Sequence, residues 1–152
     1  MSSFRVHVAS WEDAEAIVAF NLALAWESEG LTLDPERVRA GVEAVLRDSQ
    51  KGRYWIAKNG STPVGQLLIT REWSDWRARY FWWVQSVYVA PSWRGRGVFR
   101  ALLREVQAAA RASSDVCGLR LYVHQENRMA MAVYERTGFR RAAYAIYERD
   151  CA

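Results

Sequence analysis

The feature that most constrains this chain is Arg94-Gly95-Arg96-Gly97-Val98, set between a strand-like run and an amphipathic helical run. Strand, glycine turn, helix is the geometry that aims backbone N–H groups at an anion, and the helix dipole adds positive potential at the same point. Gly95 and Gly97 lack the Cβ atoms that would hold a phosphate off the backbone. Arg94, Arg96, Arg100 and Arg104 add charge, and a charge-assisted hydrogen bond is roughly twice as strong as a neutral one. The same residues would also suit a tight strand–helix connection and a basic, water-facing helix surface. Two other phosphate motifs are excluded. A P-loop needs Gly-Lys-Ser/Thr, whereas Gly97 is followed by Val98-Phe99. A dinucleotide fingerprint needs a third small residue where Arg100 stands.

The runs on either side define the fold class. Phe4 to Val8 alternates as a strand, and Ser10 with Asp13 reads as a capping box for a helix carrying Ala14, Ile17, Val18, Asn21 and Ala25. Asp34-Pro35 starts a second helix with Val38, Val42, Val45 and Leu46 on its apolar stripe. Strands follow at Tyr54–Lys58, Val64–Arg71 and Phe81–Val89, with Asn59-Gly60 a hairpin turn and Trp73 to Arg79 a polar connection. Val98, Leu102, Leu103, Val106 and Ala110 mark the helix after the glycines. Leu119–Val123 is a strand, Asn127 caps a further helix closed by Gly138, and Tyr144–Glu148 is a last strand. The order β-α-α-β-β-β-α-β-α-β predicts an α/β fold, a mixed sheet with helices on its faces.

Composition narrows the function classes. A chain of 152 residues, 51% hydrophobic and 25% charged, is expected to be one core-forming domain over 1–152. A net charge of +4 suits an anionic cofactor and does not call for nucleic acid. Cys117, Cys151, His7 and His124 offer no disulfide framework and no metal-ligand spacing, so no metal is expected. The first residues lack an apolar leader run and no stretch approaches a membrane span, so a cytoplasmic protein without a membrane partner is expected.

Two ordered motifs resemble the GNAT family of N-acetyltransferases. Val87-Tyr88-Val89-Ala90-Pro91 followed by Arg94-Gly95-Arg96-Gly97-Val98-Phe99 matches the first, and Asn127, Ala130, Tyr134, Gly138 and Phe139 match the second. Glu72-Trp73-Ser74-Asp75-Trp76-Arg77 and Trp82 to Val89 resemble a bacterial subgroup of that family; this narrower likeness names no acceptor. Phe99 departs from the family's small final residue, so its side chain must point away from the pyrophosphate. Tyr122 stands where some members carry a catalytic Glu.

The resemblance implies a central twisted mixed sheet of about six to seven strands with four flanking helices, and acetyl-coenzyme A as cofactor. It implies transfer of the acetyl group to a primary amine of a small molecule, by direct attack in a ternary complex. A protein N-terminus or lysine acceptor, or a non-catalytic acyl-CoA-binding module, are the alternatives. Val87, Tyr88, Val89, Arg94 to Arg100 (including Val98 and Phe99), Asn127 and Tyr134 would hold the cofactor. A strand bulge at about Val87 would present an N–H to the thioester carbonyl oxygen, Val89 would contact the pantetheine arm, and Tyr134 would act as general acid. An unperturbed alkylamine, with a pKa of about 10, must lose a proton before attack. Glu27 and Glu29, at the end of the first helix, are candidate bases, and Glu27, Glu72, Asp75, Trp76, Trp83 and Gln85 are candidate acceptor contacts. His124 is a further titratable candidate for the base, and Gln85 and Ser86 could line the cleft without titrating. Trp73, Trp76, Trp82 and Trp83 suggest an aromatic wall, a dimer surface or core. An exposed sheet edge after Phe139 would invite a homodimer.

Overall fold

Alternating strands and three sharp start signals organise the chain, of which the computed structural model describes residues 4–152. The elements are β1 (Arg5–Val8), α1 (Ala14–Glu29), α2 (Pro35–Arg47), β2 (Arg53–Asn59), β3 (Thr62–Ser74), β4 (Arg79–Val89), α3 (Val98–Ala112), β5 (Val116–Arg120) and α4 (Arg128–Arg136). Ser10 N–H donates to the buried Asp13 carboxylate at 2.9 Å, and Lys58 Nζ lies 2.7 Å from the same side chain. Burial pushes the Asp13 carboxyl up, but the Lys58 and Ser10 contacts outweigh it and hold it below its ordinary value. Asp34 accepts from Glu36 N–H at 3.0 Å, with Pro35 at the first helical position.

The five strands form one sheet in sequence order, antiparallel from β1 to β4 and parallel between β4 and β5. The helix α3 makes the crossover that a parallel pair requires. Ile17, Val18 and Val42 of α1 and α2 pack on Tyr54, Ile56 and Leu68 on one face of the sheet. Ile17 and Ile56 are fully enclosed, and each such side chain contributes about 1.5–3 kcal/mol relative to exposure. On the other face α3 sits on β3, where a Cβ built at Gly65 would lie 2.9 Å from Val98 Cγ1 and 3.0 Å from the Tyr88 carbonyl. Gly65 therefore lets the start of α3 lie directly on the strand. No helix among the described residues is long and apolar enough to cross a membrane.

Three expectations are corrected. The sheet has five strands among the described residues, because Tyr144–Glu148 forms none; alternation makes a strand only where a partner strand completes its ladder. The connection after β3 is a turn of residues 75–78, not Trp73 to Arg79, because Trp73 pairs with Tyr80 and Ser74 with Arg79. The fifth strand lies at Val116–Arg120, earlier than Leu119–Val123, in the register that aligns Leu119 with Trp82. The chain divides into two compact units, one up to Tyr122 and one from Val123 onward, the second containing α4.

Candidate functional site

Strand β4 is paired unequally on its two sides. Against β3 it pairs from Arg79 to Val89, but against β5 only from Tyr80 to Trp83. No strand among the described residues pairs with its outer edge beyond Trp83. Ala90 N–H donates to the Val64 carbonyl at 2.9 Å. By the antiparallel alternation, the backbones of Tyr88 and Ser86 also face β3, and those of Val87 and Val89 face the open edge. The register shifts between Leu68↔Ser86 and Ile69↔Val84, so the extra residue of the bulge is Gln85. The bulge lies two residues before the expected Val87, because the pairing on β3 decides its place.

The open edge runs into the glycine turn. A 3-10 turn over Pro91–Trp93 ends β4, and residues 94–97 lead into α3. Gly95 has φ +75° and Gly97 φ +87°, a region unfavourable to any residue with a Cβ. A Cβ at either position would meet no atom within 4 Å, so both glycines face open space. The first N–H groups of α3 have no intrahelical partners and point toward the same end. Arg96 lies 5.1 Å over the Trp93 ring, and neither Arg96 nor Arg100 has an ion pair among the described residues. Phe99, the second residue of α3, is half-buried.

Residues 11–139 match the acetyltransferase (GNAT) family. The chain belongs to that family. It is 36% identical to a possible acetyltransferase from Clostridium difficile 630, whose structure superposes with a TM-score of 0.92 and 98% coverage of both chains. It is 30% identical over 143 residues to a mycothiol acetyltransferase of Corynebacterium aurimucosum, covering 91% of this chain and 45% of that protein, so the chain spans about half the length of the curated relatives it matches first. An aminoglycoside N-acetyltransferase in complex with CoA shares the fold, with a TM-score of 0.83 at 17% identity, covering 100% of this chain and 97% of that one. The GNAT cofactor fits the residues present: glycines that leave room at the turn, Arg96 and Arg100 without an ion pair among the described residues, and an unpaired strand edge for the amides of a pantetheine arm.

The acceptor candidates are more scattered than the sequence suggests. Glu27 is bonded to Tyr88 and Arg94, and Glu29 is exposed at the end of α1. Glu72 accepts from Trp83 Nε1 at 2.8 Å and from Arg120 Nη1 at 3.1 Å, while the Arg120 guanidinium lies 3.6 Å from the Phe81 ring centroid. Glu72 is therefore a neutralised cross-strand tie and not a free carboxylate for an ammonium group. Gln85 Oε1 accepts from Thr70 at 3.0 Å. Asp75 and Trp76 occupy the hairpin tip; six strand residues, about 20 Å, separate the start of β4 from the bulge, so the structure does not bring this pair to it. Nor do the tryptophans make one wall. Neighbouring strand residues face opposite sides: Trp82 packs on Trp55, Trp83 on Tyr122, and Trp73 on Tyr80.

In the second unit, Asn127 Oδ1 accepts from Ala130 N–H at 3.1 Å, capping α4. Tyr134 lies on that helix with its ring 6.0 Å from Phe139, and burial pushes its hydroxyl above the ordinary value, which keeps it protonated. His124 Nδ1 accepts from Glu126 N–H at 3.2 Å within a turn.

Three positions escaped the sequence reading. Gly65 carried a signal, an isolated glycine inside a strand pattern. Arg120 carried none, since its partner is 48 residues away. Gln66 is fully buried in an otherwise apolar strand; its amide donates to Asn21 at 3.0 Å, while its Oε1 and the Ser86 Oγ are buried without a hydrogen-bond partner. A polar residue in the Val64–Ile69 run was the available clue.

Proposed function

We propose that this GNAT protein is an acetyl-CoA-dependent N-acetyltransferase acting on the primary amine of a small molecule. The observation that carries the reading is the open edge of β4 running directly into the glycine turn. Backbone N–H groups of residues 95–100, with Arg96 and Arg100, hold the pyrophosphate. Val89 holds the pantetheine arm, and the Val87 N–H donates to the carbonyl oxygen as charge builds there. Acetyl-CoA supplies the acetyl group as a thioester. Asn127 contacts the arm, and Tyr134, whose buried hydroxyl keeps its proton at neutral pH, provides the proton for the departing thiolate. Glu29, without an ion pair among the described residues, receives the acceptor's charge at the end of α1. The likeness to a mycothiol acetyltransferase supports a small-molecule acceptor.

The test is a panel of amines incubated with purified protein and acetyl-CoA, with release of free thiol followed. Acetylation of at least one small amine, above a peptide panel, is the expected result. Acetylation of peptide N-termini or lysines alone overturns the acceptor class, and tight acetyl-CoA binding with no acceptor ever modified overturns the enzyme. Tyr134→Phe should keep acetyl-CoA affinity within about twofold and lower turnover about 100-fold; unchanged turnover removes Tyr134 as the acid.

A further inference from the structure

Glu27 lies in the last turn of α1, where a base for the reacting amine would be sought. Both of its carboxylate oxygens are already engaged. Tyr88 Oη donates to Oε2 at 2.5 Å, and Arg94 Nη2 donates to Oε1 at 3.0 Å. The Arg94 guanidinium is held from two further directions: its Nε donates to the Val89 carbonyl at 2.9 Å, and it lies 5.3 Å over the Tyr88 ring. Phe20 of α1 packs on the same ring, with centroids 5.3 Å apart. One carboxylate thus joins the end of α1, the end of β4 and the first residue of the glycine turn.

We propose that Glu27 is a positioning residue: with Tyr88 it latches Arg94 back onto the end of β4, and the latch presets the glycine turn for the cofactor's pyrophosphate. The proposal rests on the reading of that turn as a coenzyme A site. Its physical content is pre-organisation. Gly95 and Gly97 are the least restrained residues of the turn, and ordering them on binding costs entropy. A guanidinium fixed to Val89 spans the 3-10 turn and anchors the residue just before Gly95. The anchor removes part of the ordering cost, and binding gains by that amount. The same contacts turn Arg94 away from phosphate duty, which falls to the N–H groups, Arg96 and Arg100.

The protonation states agree with a latch. The Tyr88 hydrogen bond, with the Arg94 guanidinium, holds the Glu27 carboxyl below its ordinary value against a smaller opposing effect of burial. Burial, then the hydrogen bond and charge of Glu27, push the Tyr88 hydroxyl up to about 12. Glu27 therefore stays ionised and Tyr88 protonated through neutral pH, whereas a general base works best with a pKa near the working pH.

The experiment is a double-mutant cycle of Glu27→Gln and Arg94→Gln, with coenzyme A affinity read by calorimetry and the pH profile of kcat/KM read on the best acceptor. Each single variant should weaken coenzyme A binding about fivefold, the scale of a half-exposed charged pair. The double variant should be no weaker than either single. Glu27→Gln should keep the acid limb of the profile, and Tyr88→Phe should show a smaller loss of the same kind. Tighter or unchanged coenzyme A binding by Glu27→Gln overturns the latch, since Arg94 would then be a phosphate ligand held in reserve. A 100-fold fall in kcat with the acid limb abolished overturns it in favour of a base. If the wild type fails to bind coenzyme A, the turn assignment fails instead; the latch is then decided by the same cycle on melting temperature, where additive losses overturn it.

Discussion

The two ends of β4 make opposite use of one strand. From Tyr80 to Trp83 it lies between β3 and β5, and its side chains are locked by the Glu72–Arg120–Trp83 tie and by aromatic contacts. From Val84 to Val89 it has β3 on one side only, and its distinctive groups are the backbones of two valines. The closed end carries the charges and tryptophans that look functional in a sequence. The open end carries Gln85 and Ser86 among apolar residues, and what sets it apart is its unpaired backbone. The difference teaches that missing pairing leaves backbone groups on offer, and the proposed cofactor site rests on those groups more than on reactive side chains.

Four substitutions would break or sharpen this contrast. Val87→Pro removes an N–H that faces the open edge and not β3, so the fold should persist while turnover falls about 100-fold or more. Full activity in a folded protein would mean that the edge is not the reaction's hydrogen-bond donor. Gly97→Asp adds a Cβ at φ +87° and a negative charge at the proposed pyrophosphate site; calorimetry should show coenzyme A affinity about 100-fold lower. Affinity retained with intact circular dichroism would sink the pyrophosphate assignment.

Gly65→Ala tests the scaffold beneath the open end. The new Cβ would press on Val98 and on the Tyr88 carbonyl, so α3 must move or the strand must strain, at a cost of about 1–3 kcal/mol by denaturant unfolding. The loss should be accompanied by weaker coenzyme A binding, because the turn is attached to α3; a stability loss with affinity untouched would uncouple the two. At the closed end, Arg120→Met keeps much of the stem that covers Phe81 but breaks the tie to Glu72. It should cost about 1 kcal/mol or less and leave coenzyme A affinity unchanged. An equal fall in coenzyme A affinity would erase the distinction between the two ends.

What could be read in advance follows the range of the interaction involved. Asp34, Asn127 and the glycine turn act on residues two to four positions away, and they stand where their local chemistry requires. The bulge at Gln85 depends on β3, the Arg94 latch on a residue 67 positions away, and the Glu72 tie on one 48 positions away. Asp75 and Trp76 show the converse. They sit beside a promising strand in sequence, yet Trp76, 86% exposed, lies at the tip of a hairpin that leads away from the bulge.

By itself, then, the sequence determined the positive-φ turn, the helix that follows it and the family motifs, because steric and capping rules operate within a few residues. Only the tertiary structure decided which backbone edge is left unpaired and which arginine is already taken. Those outcomes are set by pairing register and by contacts between distant segments, and a residue's neighbours in the chain do not contain them.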